Sequence, residues 1–185
     1  MVTSLRDDPN YRAAYDVVES LPFFRPWTIE SLVAKVSLSR GRPIALRRLP
    51  DDLAKHCSAA WFPKPHADYV YIRDQLTDVQ REISISHELG HILLAHTLTD
   101  DERADYLKEI FPRVPREVLK LHVASMQCSP LARCNYEHPF EQQAEWFARL
   151  LISKADQYRD VLVPDHATPT QRRMLVQASQ VFGWQ

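Results

Sequence analysis

The spacing of apolar residues along the first forty positions predicts two helices. Tyr11, Tyr15 and Val18 recur at the interval that places side chains on one helical face. A second helix is predicted to begin after Thr28, a candidate N-cap, and to end before the Gly-Arg-Pro segment at 41–43. The chain therefore opens with a helical region.

The pattern changes to alternation beyond this point, which is typical of strands. Three segments fit a strand pattern: Pro43–Leu49, Ser58–Phe62 and Asp68–Arg73. Three short strands ahead of a helix predict a small three-stranded antiparallel sheet. The helix that follows is predicted from Asp78 to His96, with Val79 among the apolar residues available for burial.

Helical periodicity dominates the rest of the chain. Further helices are predicted at Arg103–Ile110, Arg116–Met126, Phe140–Ile152 and Thr170–Val181. The chain has 3 glycines against 13 prolines and no internal repeat, which indicates one compact unit without flexible linkers. We expect a single, mostly helical α+β domain over 1–185, with an N-terminal helical region (1–40), a core (41–153) and a C-terminal helical extension (154–185).

Charge and cysteine content narrow the functional classes. The formal net charge is −1 at pH 7, so no basic field indicates binding to nucleic acid or an anionic membrane. Three cysteines without a CxxC spacing favour reduced thiols over a disulfide framework, with a Cys128–Cys134 bridge as the alternative. The sequence shows neither a signal-peptide core nor an apolar stretch of membrane-spanning length. We expect a soluble cytoplasmic protein whose partners are neither nucleic acid nor membrane.

The candidate chemistry lies in the helix predicted to begin at Asp78. It contains the segment His87-Glu88-Leu89-Gly90-His91, whose two histidines are four residues apart and share a helical face. Neutral imidazole is a good zinc ligand, and two of them leave room for a third ligand and a water. Glu88 is placed to take a proton from that water and to return it to a leaving amine. The alternative is a solvated helical face with a coincidental histidine pair.

A catalytic zinc site needs a third ligand from the protein. His96 lies five residues beyond His91, which on a continuing helix rotates it away from the ligand face. Metzincin spacing would place a histidine at position 97, where this chain has Thr97. The ligand must therefore come from another part of the chain, and His138 is one candidate.

The segment from Phe140 to Leu151 is another source of ligands. Glu141 and Glu145 are four residues apart and share a face, and the small Ala144 and Ala148 would let this helix approach the first one closely. One carboxylate can bind the metal while the other orients a histidine through its ring N–H. The residue pattern alone leaves open which carboxylate does so, and whether both are simply solvated.

The two segments together carry a family resemblance. HELGH followed by a helix of the form E-x-x-A-x-x-F-A-x-x-L-L resembles the ImmA/IrrE family of metallopeptidases over residues 41–153. The resemblance implies a gluzincin-like site in a zincin-like fold. In it His87, His91 and Glu141 bind Zn²⁺ and Glu88 is the catalytic base. The chain departs from the family at Glu145, where Asn or Asp is frequent.

The resemblance also implies a function and a partner. We expect a zinc-dependent endopeptidase that hydrolyses a peptide bond in a specific intracellular protein, either a helix-turn-helix repressor or an antitoxin. The alternative is a zincin-like toxin module that acts by binding a target and is neutralised by a cognate antitoxin. The candidates for the group that polarises the substrate carbonyl are Tyr69, Tyr71, His122, Tyr136 and His138.

Overall fold

The computed structural model describes residues 5–55, 57–97, 138–159 and 167–182, together with scattered positions between 101 and 120. The helices predicted at Arg103–Ile110 and Arg116–Met126 fall largely outside these residues. None of the described helices is both long and apolar enough to cross a bilayer. The elements are α1 (Pro9–Ser20), α2 (Ile29–Arg40), β1 (Ile44–Arg48), α3 (Asp51–Ala54), β2 (Ala59–Lys64), β3 (Ala67–Ile72), α4 (Asp78–Leu93), α5 (Pro139–Ala155) and α6 (Pro169–Phe182).

Side-chain caps define the first two helices. Asp8 caps α1 by accepting a hydrogen bond from the backbone N–H of Asn10 at 2.8 Å. Thr28 caps α2 as predicted, accepting from the backbone N–H of Ser31 at 3.1 Å. Gly41 ends α2 with a φ of 61°, a left-handed conformation that glycine adopts without the steric cost of a Cβ. Both helices contribute apolar side chains to the main core.

The sheet is mixed, so the prediction of an antiparallel sheet was wrong. Its strand order is β1-β3-β2, with β3 antiparallel to β2 and parallel to β1. The chain leaves β1 through α3 and enters β2 at the far edge. The β2–β3 hairpin then places β3 between the two earlier strands. Of the strands that follow one another in the sequence, β2 and β3 are therefore paired, whereas β1 and β2 are not. The central strand β3, the segment with the clearest alternation, is hydrogen-bonded along both edges.

One buried carboxylate ties α2 to the sheet. Asp68 on β3 accepts hydrogen bonds from Arg40 Nη1 at 2.9 Å, from Arg42 Nε at 3.0 Å and from Trp61 Nε1 at 3.1 Å. Burial by itself raises the pKa of this carboxyl. The hydrogen bonds from Arg42, Arg40 and Trp61 together outweigh burial and hold the pKa below its usual value. We call these four residues the Asp68 cluster.

Helix α4 lies at the centre of the fold. The sheet packs on one side of it through β2 and β3, α5 packs on another side, and α1 packs in turn on α5. The largest apolar side chains of the core include Leu32, Ile85, Leu89 and Phe147, which come from α2, α4 and α5. Val79, in the first turn of α4, is exposed although its spacing made it available for burial.

Candidate metal centre

Helix α4 carries the His-Glu-x-x-His residues into the interior. It begins with a capping box in which the Thr77 hydroxyl accepts from the backbone N–H of Gln80, and the Gln80 side chain accepts from the backbone N–H of Thr77. From Ser84 to Ile92 every residue of α4 is buried, because the sheet and α5 pack around this part of the helix. His87, Glu88 and His91 are therefore core residues.

Helix α5 brings the predicted third ligand to the same place. His138 caps this helix, its ring Nδ1 accepting from the backbone N–H of Phe140 at 3.2 Å. Glu141 lies in the first turn and is buried. The ring of His138, the alternative ligand from the sequence, is thus engaged in capping the helix.

Gly90 permits the close approach of α4 and α5 at the level of this group. A Cβ at position 90 would lie 3.0 Å from the Cα of Ala144 and 3.2 Å from the Cβ of Phe147. The Cα of Ala144 belongs to the helix backbone and cannot move aside without displacing α5. The predicted close approach at Ala144 is confirmed, and it brings Glu141, one turn earlier, against the two histidines.

The three predicted ligands converge on one point of the interior. His87 Nε2 lies 3.0 Å from His91 Nε2 and 3.2 Å from Glu141 Oε2, and His91 Nε2 lies 3.4 Å from Glu141 Oε1. Two imidazoles and a carboxylate at this spacing form a group that can hold a metal ion. Within the described part of the chain, no other group of three potential ligands is as closely spaced.

The second carboxylate of α5 lies behind His87. Glu145 Oε2 is 3.8 Å from His87 Nδ1, which is longer than a hydrogen bond, so the two interact mainly by charge. Arg149 Nε donates to the other oxygen of Glu145 at 3.0 Å. His87 and Arg149 lower the pKa of Glu145 to about 2, so the carboxylate is ionised at neutral pH.

The same carboxylates act on His87. Burial lowers the pKa of this imidazole, but Glu141, Glu145 and Glu88 outweigh burial and raise the pKa to about 9 in the metal-free protein. Glu88 is itself only 1% exposed. A buried imidazole surrounded by three carboxylates is a place where a cation is strongly stabilised, whether that cation is a proton or a metal ion.

The described structure places none of the remaining candidates for the carbonyl-polarising group at this site. Tyr69 and Tyr71 alternate along β3 with the buried Val70 and Ile72, so they lie on the sheet face opposite α4. They are therefore not placed to polarise a carbonyl group at this site. His122 and Tyr136 lie outside the described residues.

His96 is the residue that the sequence pattern missed. Helix α4 ends at Leu93, three residues earlier than predicted, and the His96 ring packs back against His91, with 2.9 Å between the two Nδ1 atoms. Burial lowers the pKa of His96. Because the contact is made on the Nδ1 side of His91, His96 is not a fourth member of the ligand group.

Known proteins supply no further guide to the site. No family model, no curated protein and no solved structure matches the chain.

Proposed function

We propose that this protein is a zinc-dependent endopeptidase with a zincin-like catalytic domain. The observation that carries the proposal is the burial of Glu88 beside the group formed by His87, His91 and Glu141. A site that only held a metal would need ligands but no additional carboxylate to act as a base. A further carboxylate in the interior costs desolvation free energy, which is consistent with selection for chemistry rather than for stability.

Zinc is favoured by the kind and spacing of the donor atoms. Zn²⁺ binds imidazole nitrogen and carboxylate oxygen at about 2.0–2.2 Å in a tetrahedron, which separates neighbouring ligand atoms by about 3.3–3.6 Å. The distances among His87, His91 and Glu141 run from 3.0 to 3.4 Å, which is close to the edges of one face of such a tetrahedron. Three protein ligands are the number found in catalytic zinc sites, whereas structural sites use four.

In the proposed hydrolysis, the three ligands would hold the zinc ion and Glu88 would transfer the proton. Zinc, when bound, acts as a Lewis acid that acidifies water and polarises a carbonyl group. Glu88 accepts a proton from the attacking water and delivers it to the leaving nitrogen of the peptide bond. Its place in the sequence, directly after His87, keeps this carboxylate beside the ligand group while leaving it outside the ligand set.

The substrate is proposed from the resemblance to the ImmA/IrrE family. That resemblance implies a helix-turn-helix repressor or an antitoxin as the protein that is cleaved.

The proposal is tested with Glu88→Gln, which keeps the size of the side chain but removes the base. Wild-type and variant proteins are loaded with zinc and incubated with a peptide library made from a bacterial proteome, and new peptide N-termini are identified by mass spectrometry. We expect defined cleavages with the wild-type protein and a loss of at least about 100-fold in their rate with the variant, the range for removing a general base.

Metal content provides the control for this experiment. Glu88→Gln should bind zinc in the same ratio as the wild-type protein, because none of the three ligands changes. Equal cleavage by both proteins, or no cleavage by the zinc-loaded wild-type protein on the library and on helix-turn-helix proteins, would contradict the enzymatic proposal. A biological effect that survives in the variant would support the binding-module alternative instead.

A further inference from the structure

We propose that Asn10, Gln143 and His96 form a hydrogen-bonded relay that holds His91 in the tautomer needed for metal binding. The inference rests on the metal-binding part of the proposed function and does not depend on peptide hydrolysis. In this relay His96 is a positioning residue, because it contacts the ring of His91 and not the nitrogen that faces the other ligands.

An unusual turn brings His96 to this position. Ala95 has a φ of 53°, a left-handed conformation that is uncommon for a residue with a Cβ. The backbone N–H of His96 donates to the carbonyl of His91 at 3.0 Å, and that of Ala95 to the carbonyl of Ile92 at 3.4 Å. These are the two hydrogen bonds of a Schellman motif, which ends α4 and turns the next residue back over the helix.

The ring of His96 is held from two further sides. It stacks on the ring of Phe140, with 4.4 Å between the centroids and 10° between the planes, and it is 2% exposed. Its Nε2 lies 2.9 Å from the side-chain Oε1 of Gln143 on α5. Both ring nitrogens of His96 therefore have a partner, and the ring has one orientation.

The relay continues to the N-terminal helix. Gln143 Nε2 donates to Asn10 Oδ1 at 3.0 Å, and Asn10 Nδ2 donates to the Oε1 of Gln142 at 2.7 Å. The chain of contacts thus runs from α1 through α5 to the end of α4. Helix α1, which contains no ligand, takes part in shaping the ligand group through Asn10.

The order of donors and acceptors determines the tautomer of His91. Because Gln143 gives its amide N–H to Asn10, its oxygen faces His96 and can only accept. His96 then carries its proton on Nε2 and offers a bare Nδ1, which accepts from Nδ1–H of His91. A neutral His91 protonated on Nδ1 presents the lone pair of Nε2 toward His87 and Glu141, which is the form that a metal requires.

The first test reads the tautomers directly in the wild-type, metal-free protein. Two-bond proton–nitrogen correlation spectra of the ¹⁵N-labelled protein distinguish the protonated ring nitrogen from the bare one. We expect His91 to be protonated on Nδ1 and His96 on Nε2. A proton on Nε2 of His91 means that the relay runs in the opposite direction, and it would overturn the proposal.

The second test separates the relay from packing by a matched pair of variants. His96→Phe keeps the stacking on Phe140 but removes the acceptor for His91. His96→Gln retains a carbonyl oxygen as acceptor and an amide donor. We expect zinc affinity, measured by competition with a chelating dye, to fall by about 10- to 100-fold in the first variant and to recover to within about threefold of wild type in the second.

These outcomes are distinct from those that bear on hydrolysis. If His96→Phe binds zinc as tightly as the wild-type protein, the relay has no positioning role and the inference is wrong, whatever the peptidase result. If the tautomers are as expected and the affinity falls while no peptide is cleaved, the relay stands and the enzymatic proposal fails. Should His96→Phe not fold, the spectra of the wild-type protein still decide.

Discussion

Two buried carboxylates in this protein have opposite surroundings. Asp68 on β3 is surrounded by fixed donors, two arginines and the indole of Trp61. Glu141 on α5 is also buried, but its ion-pair partners among the described residues are His87 and His91. Arginine stays charged at all relevant pH values, whereas histidine can lose its proton and bind a metal through the same nitrogen.

The difference indicates what each carboxylate is for. The negative charge of Asp68 is neutralised by arginines, which are permanently charged, so this carboxylate needs no bound ion. The Asp68 cluster accordingly joins α2 to the sheet. Where the partners of a buried carboxylate are imidazoles, its negative charge is neutralised when the imidazoles bind a proton or a metal ion. The comparison predicts that removing Asp68 affects folding, and that removing Glu141 affects metal binding.

The largest effect is expected for Glu141→Ala. Loss of one of three ligands should weaken zinc binding by more than about 100-fold, since even removing a partner of a ligand costs about 10- to 100-fold. Zinc affinity is measured by dye competition and zinc content by elemental analysis of the purified protein. Retention of wild-type zinc affinity would exclude Glu141 as a ligand.

Glu145→Ala is the matched control for this variant, because it removes the same group one turn further along α5. Its carboxylate lies 3.8 Å from the far nitrogen of His87 and is partly exposed, so we expect a loss of no more than about tenfold. A larger loss for Glu145→Ala than for Glu141→Ala would reverse the assignment of the two residues.

A smaller effect of a different kind is expected for Asp68→Ala. The change leaves the indole N–H of Trp61 buried without its acceptor and removes the anion facing Arg40 and Arg42. Since both arginines reach solvent, we expect the free energy of unfolding to fall by about 2–3 kcal/mol, below the full cost of breaking a buried ion pair. Urea unfolding measures this loss, and zinc affinity should stay within about threefold of wild type. A well-folded variant that loses zinc binding would contradict the separation of the two carboxylates.

The smallest effect is expected in the number of protons that are released when the metal binds, which depends on the protonation of His87 and therefore on pH. The pKa of His87 is about 9 in the metal-free protein, raised from 6.5, so this imidazole is protonated at pH 7. The raised pKa stabilises the metal-free fold below pH 6.5, and that contribution is lost as pH rises through 9.

Metal binding needs the neutral ring of His87, so it should release about one proton at pH 7 and progressively less above pH 9. Titration calorimetry in buffers of different ionisation enthalpy counts the protons. No release at pH 7 would mean that His87 is already neutral or is not a ligand.

The order of the strands shows where local pattern is insufficient. Alternation identified the three strand segments to within a few residues, because the period of two is a property of each strand alone. Whether β1 pairs with β2 or with β3 depends on contacts between distant residues. The short α3 segment, which carries the chain past the centre of the sheet, has no apolar period that would indicate it.

The end of α4 gives the same lesson at a single residue. The helical pattern runs on through Leu93 and Leu94, so the sequence predicted a helix to His96 and placed that ring away from the ligands. Ala95 instead adopts a left-handed turn that a glycine would normally signal. The contacts of His96 with Phe140 and Gln143 on α5 stabilise this turn, and the local sequence of α4 does not indicate those contacts.

The sequence by itself determined the α+β composition, the helix of the His-Glu-x-x-His residues and the pair of histidines on one face, because each follows from spacing within a few residues. The family resemblance pointed to Glu141, which stands about fifty residues further along the chain. Only the tertiary structure placed Glu141 rather than Glu145 or His138 against both histidines, through the contact of Gly90 with Ala144. That choice depends on how two helices pack, and packing between distant segments leaves little trace in the local pattern of either one.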